Sequence, residues 1–134
     1  MVTDRIGDFI IRLQNAARIG KPTVSMPYSG HVLSIAKKLK DLGFITSVEV
    51  KSLGDSEVKK EFVATLAYDA HGQPKLRGVK RISKPGRRLY VPASEAHTVK
   101  GGTGVRLISS SAGIVSDREA RKNNMGGENL FEIW

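Results

Sequence analysis

The chain has 134 residues, 40% of them apolar, which suits one domain or two small modules and is enough to bury a core. Its 22 Lys and Arg against 13 Asp and Glu leave a formal net charge of +9, a field that attracts polyanions by steering and counterion release. Without cysteine there is no disulfide, thiolate metal site or cysteine nucleophile; His31, His71 and His97 fit no metal spacing; no apolar run nears the roughly 18 residues of a membrane span. A cytoplasmic protein with no metal, no cofactor and no membrane partner is expected.

Ile6, Phe9, Ile10, Leu13 and Ala17 recur at three- and four-residue steps and predict a first helix, capped by Thr3 or Asp4 and ended by Gly20. Thr23-Val24-Ser25-Met26 suits a strand. Ser29 then opens a second helix with the stripe Val32, Leu33, Ile35, Ala36, Leu39 and Leu42, stopped by Gly43. Residues 44–50 and 58–68 are rich in β-branched and aromatic types and flank a hairpin turn at Leu53-Gly54-Asp55-Ser56. A first module, residues 1–69, is thus α-β-α-β-β, and the Gly and Pro of residues 69–74 mark its end.

The second module, residues 75–134, reads as a strand over 78–83, a Lys84-Pro85-Gly86 turn and a strand over 87–91. A short helical turn near 94–100 and a strand over 105–109 follow. Ser116 and Glu119 form a capping box that starts a short helix, and a last strand begins at Glu128. The predicted fold class is α+β: two small modules packed together, the second mostly antiparallel β with a short helix.

Between residues 75 and 88 stand Lys75, Arg77, Lys80, Arg81, Lys84, Arg87 and Arg88 and no acid. Pro85-Gly86 folds this window back on itself, so the charges gather into a patch that phosphate oxygens bridge. Tyr90, just beyond, is either a stacking face for an unpaired base or a half-buried strand residue. Ser109, Ser110 and Ser111 form a triple-hydroxyl turn before Gly113, and Gly126-Gly127 suggests a left-handed turn before Glu128. Arg12, Asn15, Arg18 and Lys21 lie off the apolar stripe of the first helix and offer a weaker phosphate contact. Short hydroxyl donors beside a basic patch suit folded RNA better than duplex DNA, and neither zinc-finger nor zipper spacing is present.

Catalysis is the rival class. Ser110 is not in a Gly-x-Ser-x-Gly elbow, and Gly101-Gly102-Thr103-Gly104 lacks the Lys-Ser/Thr of a phosphate loop. Helix capping accounts for Asp117 and Glu119 without a metal-dependent reaction. No enzyme is expected, and a magnesium-dependent nuclease ranks last among the readings.

ISSSAGIVSDREAR over residues 108–121, then GGE and the terminal Trp134, closely resembles the C-terminal signature of the bacterial-type family of small-subunit ribosomal protein eight. The likeness extends to Arg81-Ile82-Ser83-Lys84-Pro85-Gly86 with Arg88 and Tyr90, and to Gly43-Phe44-Ile45. It also takes in Asp4, Ile6, Asp8, Arg12, Asn15 and Ala16, with residues 52–57 and 69–74 least matched. The resemblance implies a non-catalytic protein that binds a stem in the central domain of small-subunit ribosomal RNA, beside neighbouring ribosomal proteins, and helps build the subunit's platform. Its own messenger RNA is implied as a further partner. It assigns RNA contact to Ser109, Ser110, Ser111, Gly113, Gly127, Glu128, Lys84, Pro85, Gly86, Arg88 and Tyr90, and backbone contact to Arg12, Asn15 and Lys21. Arg87, where an apolar residue is common, adds a charge to the patch; Ser110, Ala112, Gln14 and Glu132 also depart from the family pattern. The alternative reading is a regulator that binds messenger RNA or DNA with the same basic surface.

Overall fold

The computed structural model describes residues 5–52, 60–84, 86–92 and 104–134. Contacts divide the chain into one unit, Asp8–Arg77, and another, Gly78–Trp134, that takes in the start of the first helix.

In the first unit the order is α1 (Arg5–Ile19), β1 (Thr23–Pro27), α2 (Gly30–Asp41), β2 (Ile45–Ser52) and β3 (Lys60–Leu66), with an antiparallel sheet ordered β1-β3-β2. The turn expected at residues 53–56 lies outside the described residues. Period-two alternation buries Phe62, Ala64 and Leu66 of β3, and the register sets Val24 against Ala64 and Met26 against Phe62, so one sheet face is apolar. Phe9 of α1 meets Phe62 edge-on, ring centroids 5.5 Å apart at 64°. The stripe of α2 buries Val32, Ile35, Ala36 and Leu39 as expected, with Leu33 and Leu42 half-buried.

Both helices end in the same way. Lys21 N donates to Ala16 O and Gly20 N to Ala17 O, with Gly20 at φ 76°; Phe44 N donates to Leu39 O and Gly43 N to Lys40 O, with Gly43 at φ 92°. These are Schellman motifs, in which a left-handed residue caps the last carbonyls. Residues 69–74 belong to this unit as a pinned turn. The Asp69 carboxylate accepts from His71 N and Gln73 N at 2.9 Å each, and Lys75 N donates to Ala67 O at 3.0 Å.

The second unit holds β4 (Val79–Arg81), β5 (Tyr90–Val91), β6 (Val105–Ser110), β7 (Gly113–Ser116), α3 (Asp117–Lys122) and β8 (Gly127–Ile133). β8 is central: β6 and then β7 lie along one edge, and β4 and β5 pair with different stretches of the other, all antiparallel. The capping box is present, Ser116 Oγ accepting from Glu119 N at 3.2 Å and Glu119 Oε1 accepting from Ser116 N at 3.4 Å. Ile108, Val115 and Ala120 make a buried cluster under α3, joined by Met125.

Three expectations change. The strands read over 78–83 and 87–91 shrink to β4 and β5; Ile82 and Ser83 still donate to β8 carbonyls, Ser83 to two at once, outside the regular pairing. β7 was not expected as a strand. The left-handed residue before β8 is Asn124, at φ 53°, which ends α3; Gly127 instead answers a close approach, since a Cβ there would collide with the Ser109 carbonyl. The helical turn expected near 94–100 lies outside the described residues.

Candidate nucleic-acid interface

The serine run is not a three-hydroxyl turn. Ser109 and Ser110 finish β6, Ser110 pairs with Gly113, and only Ser111 and Ala112 form the tip, with Gly113 at φ 109° taking the left-handed strain of a two-residue hairpin. Ser110 Oγ donates to Gly113 O at 2.9 Å and accepts from Ala112 N at 3.2 Å, so its hydroxyl is committed to holding the turn. Successive strand residues face opposite ways, which sends Ser109 to the other face of the sheet.

On that face the register assembles residues distant in sequence. Glu128 is directly opposite Tyr90 on one side and Ser109 on the other. Directly opposed side chains in an antiparallel sheet share a face, so Tyr90, Glu128 and Ser109 form one row on the side away from α3. Tyr90 is 70% exposed, which removes the half-buried reading and leaves its ring available for stacking.

Among the described residues two donors hold Glu128 by its Oε2: Ser83 Oγ at 2.7 Å and Arg88 Nη1 at 3.1 Å. Its side chain is 16% exposed and that of Arg88 48%, so the ion pair adds little stability and works mainly by orienting the carboxylate and guanidinium. Ser83 is the residue that sequence reasoning missed. It is 1% exposed; its hydroxyl also accepts from Leu89 N at 3.1 Å, its carbonyl accepts from Arg81 Nε, and its amide donates to the Asn129 and Leu130 carbonyls of β8. One buried serine therefore ties the basic turn to β8. A small polar residue before Lys-Pro-Gly is a faint signal, and its partner Glu128 lies 45 residues away.

The basic turn closes as expected: Lys84 N donates to Arg87 O and Arg87 N to Lys84 O, both at 2.9 Å. Lys84, Gly86, Arg87 and Arg88 are exposed on it, while Pro85 lies outside the described residues. Of the seven bases in the window, Lys75 and Arg77 belong to the first unit and the other five to the second. The departure at Glu132 has a local partner. It stands opposite both Lys80 and Arg106, and Arg106 Nη2 reaches its Oε1 at 2.6 Å.

In the first unit, Arg12, Asn15 and Lys21 line one shallow hollow of about 250 Å³ with Ile19, Thr23 and Ser25. Arg12 is already engaged, bonding Asp8 Oδ1 at 3.0 Å and Ser25 O at 2.9 Å. Lys21 is fixed by the Schellman motif and by Tyr68 Oη, which donates to its carbonyl at 2.7 Å. Among the described residues no group of His, Asp and Glu could hold a metal ion, and no helix is long and apolar enough to cross a membrane.

Residues 4–134 match the family model described as ribosomal protein S8. Relatives named small ribosomal subunit protein uS8 include that of Salinispora arenicola, 42% identical over 99% of this chain and 98% of its own length. That of Bordetella avium is 43% identical over 98% of each, and that of Lactobacillus delbrueckii subsp. bulgaricus 41% over 100% and 99%. With the family model and relatives above 40% identity both running nearly end to end, the chain belongs to the ribosomal protein S8 family.

Proposed function

We propose that this small-subunit ribosomal protein binds its RNA by a division of labour: cations on the basic turn grip phosphates, and the polar row on β8 reads position. In this reading Lys84, Arg87 and Arg88, with Gly86 on the turn between them, neutralise backbone charge. Ser109 and Glu128 hydrogen-bond to sugar hydroxyls and base edges, and Tyr90 stacks on an unpaired base. Ser110 and Gly113 keep the hairpin tip in shape, Gly127 lets β6 approach β8 closely, and this presents the tip, with exposed Ser111, to the RNA. Arg12, Asn15 and Lys21 add a second backbone contact. The observation that carries this reading is the row itself, in which a stacking ring, an acceptor and a hydroxyl stand side by side, anchored from beneath by Ser83.

As a ribosomal protein of the small subunit the chain works in translation, on the ribosome in the cytoplasm. The finer target is a stem in the central domain of the small-subunit RNA, beside neighbouring ribosomal proteins, and the chain catalyses nothing. Its own messenger RNA competes for the same surface if it presents the same shape. A footprint of the purified protein on total small-subunit RNA tests the target: protection confined to one central-domain stem supports it, and protection elsewhere or everywhere rejects it.

A further inference from the structure

We propose that a second hollow in the first unit, on the opposite face of α1 from the Arg12 hollow, binds one nucleotide of an RNA backbone. Arg18 and Arg77 hold the phosphate, and Gln14 and Gln73 hold the ribose 2′-hydroxyl. The inference rests on the ribosomal-RNA reading above and adds to it a site outside the polar row and the basic turn.

The hollow has a volume of about 280 Å³. Ligand clefts run from about 300 to 1,000 Å³, so this one suits a backbone fragment rather than a folded cofactor. Its floor is Ala17 and Leu76, both buried, and Arg18, Arg77 and Gln73 are exposed around it with Gln14 half-buried. No acid lines it. Among the described residues, the side chains of Gln14, Arg18, Gln73 and Arg77 make no hydrogen bond or ion pair, in contrast to Arg12, which Asp8 and Ser25 engage. At about 100° per residue, positions 14, 17 and 18 project from the face of α1 opposite positions 12, 15 and 19. The two hollows are therefore separate.

The site is partly preorganised. Gln73 sits in the turn that Asp69 closes by accepting from Gln73 N and donating its own amide to Gln73 O, both at 2.9 Å. Gly72, at φ 78°, supplies the left-handed residue of that turn. Two guanidinium forks match the oxygens of one phosphate. The carboxyl end of a helix carries about half a negative charge, and here the Schellman motif already satisfies the last carbonyls, so two full positive charges prevail. The glutamines choose between anions. Each offers both a donor and an acceptor, which a ribose hydroxyl uses fully, whereas a protein carboxylate would leave the amide oxygens facing a like-signed group.

The test uses the full chain with Arg18→Gln and Arg77→Gln combined, titrated with a small-subunit RNA fragment holding the footprinted stem and its flanks. Loss of one phosphate contact should lower the slope of log K against log salt by about 0.9 and weaken binding about tenfold at low salt. The pair Arg18→Lys and Arg77→Lys should keep the slope and recover only part of the affinity. A 2′-deoxy substitution at the protected nucleotide should weaken wild type severalfold and leave a Gln14→Ala, Gln73→Ala variant unaffected. If wild type binds the RNA and the glutamine-for-arginine variant matches it in slope and affinity, the hollow is not an RNA site. Such a variant that binds RNA normally yet fails to enter reconstituted subunits would assign the hollow to an acidic protein neighbour, which also overturns the proposal. A wild-type chain that binds no small-subunit RNA would instead overturn the underlying reading.

Discussion

The β8 row and the exit of α1 offer polar groups in two different ways. On β8, Glu128 is fixed by Ser83 and Arg88, Ser109 is fixed by the ladder, and the adjoining hairpin is closed by the Ser110 hydroxyl. At the exit of α1, Lys21, Arg18 and Arg77 extend as long cations whose charged ends meet no described partner. Groups whose positions are set before binding discriminate one shape from another, because a ligand that misses them leaves a polar group unpaired. Long flexible cations follow a phosphate wherever it lies, so they add affinity with little selectivity. The lesson is that fixed hydroxyls and carboxylates, rather than the charge that dominates the composition, carry the specificity.

Substitutions that disturb the fixed region should therefore cost the most. Gly127→Val drives a side chain into the Ser109 carbonyl, and the strain of overpacking is expected to remove about 3 kcal/mol of stability, read as a lower urea midpoint. Ser83→Ala leaves the Leu89 amide without the Ser83 hydroxyl as acceptor and removes one donor from Glu128. About 2 kcal/mol of stability should be lost, with cognate binding falling further than binding to random RNA. An unchanged thermal midpoint would remove Ser83 from its anchoring role. Ser116→Ala, which breaks the capping box on the far side of the sheet, should cost about 1 kcal/mol by denaturation while the ratio of cognate to random binding holds. The smallest structural effect belongs to the exposed cations. Combined Lys84→Ala and Arg87→Ala should stay within about 0.5 kcal/mol of wild type in stability while lowering the salt slope by about 1.8, the value for two phosphates.

Local signals were legible in the sequence where one element carries them. The five apolar positions of α1 repeat at helical spacing and all are buried; Gly20 and Gly43 stop their helices; Ser116 with Glu119 caps α3 as read. Pro85-Gly86 announced the turn that Lys84 and Arg87 close with reciprocal bonds. What stayed hidden depends on pairing between distant strands. β7 has only four residues, too few to show a period, and its glycine and serine ends resemble a loop. The meeting of Tyr90, Glu128 and Ser109 follows from register, including a bulge between Leu107 and Ile108 that no single strand's pattern reveals. Ser83 looks like an ordinary turn residue until its partners from β8 are in view. The triple serine was misread for the complementary reason. Three hydroxyls in a row suggest a loop, yet ladder bonds continue through the first two.

The central claim is that the held carboxylate of Glu128 distinguishes one folded RNA from others, while the cations do not. The direct measurement is Glu128→Gln, which keeps the shape and removes the charge, titrated against the footprinted stem and a scrambled RNA of equal length over a range of salt. The account predicts about a fivefold to tenfold loss on the stem alone, as for a charge-assisted hydrogen bond, with the salt slope unchanged. Equal losses on both RNAs, or a shift in slope without any change in their ratio, would contradict it.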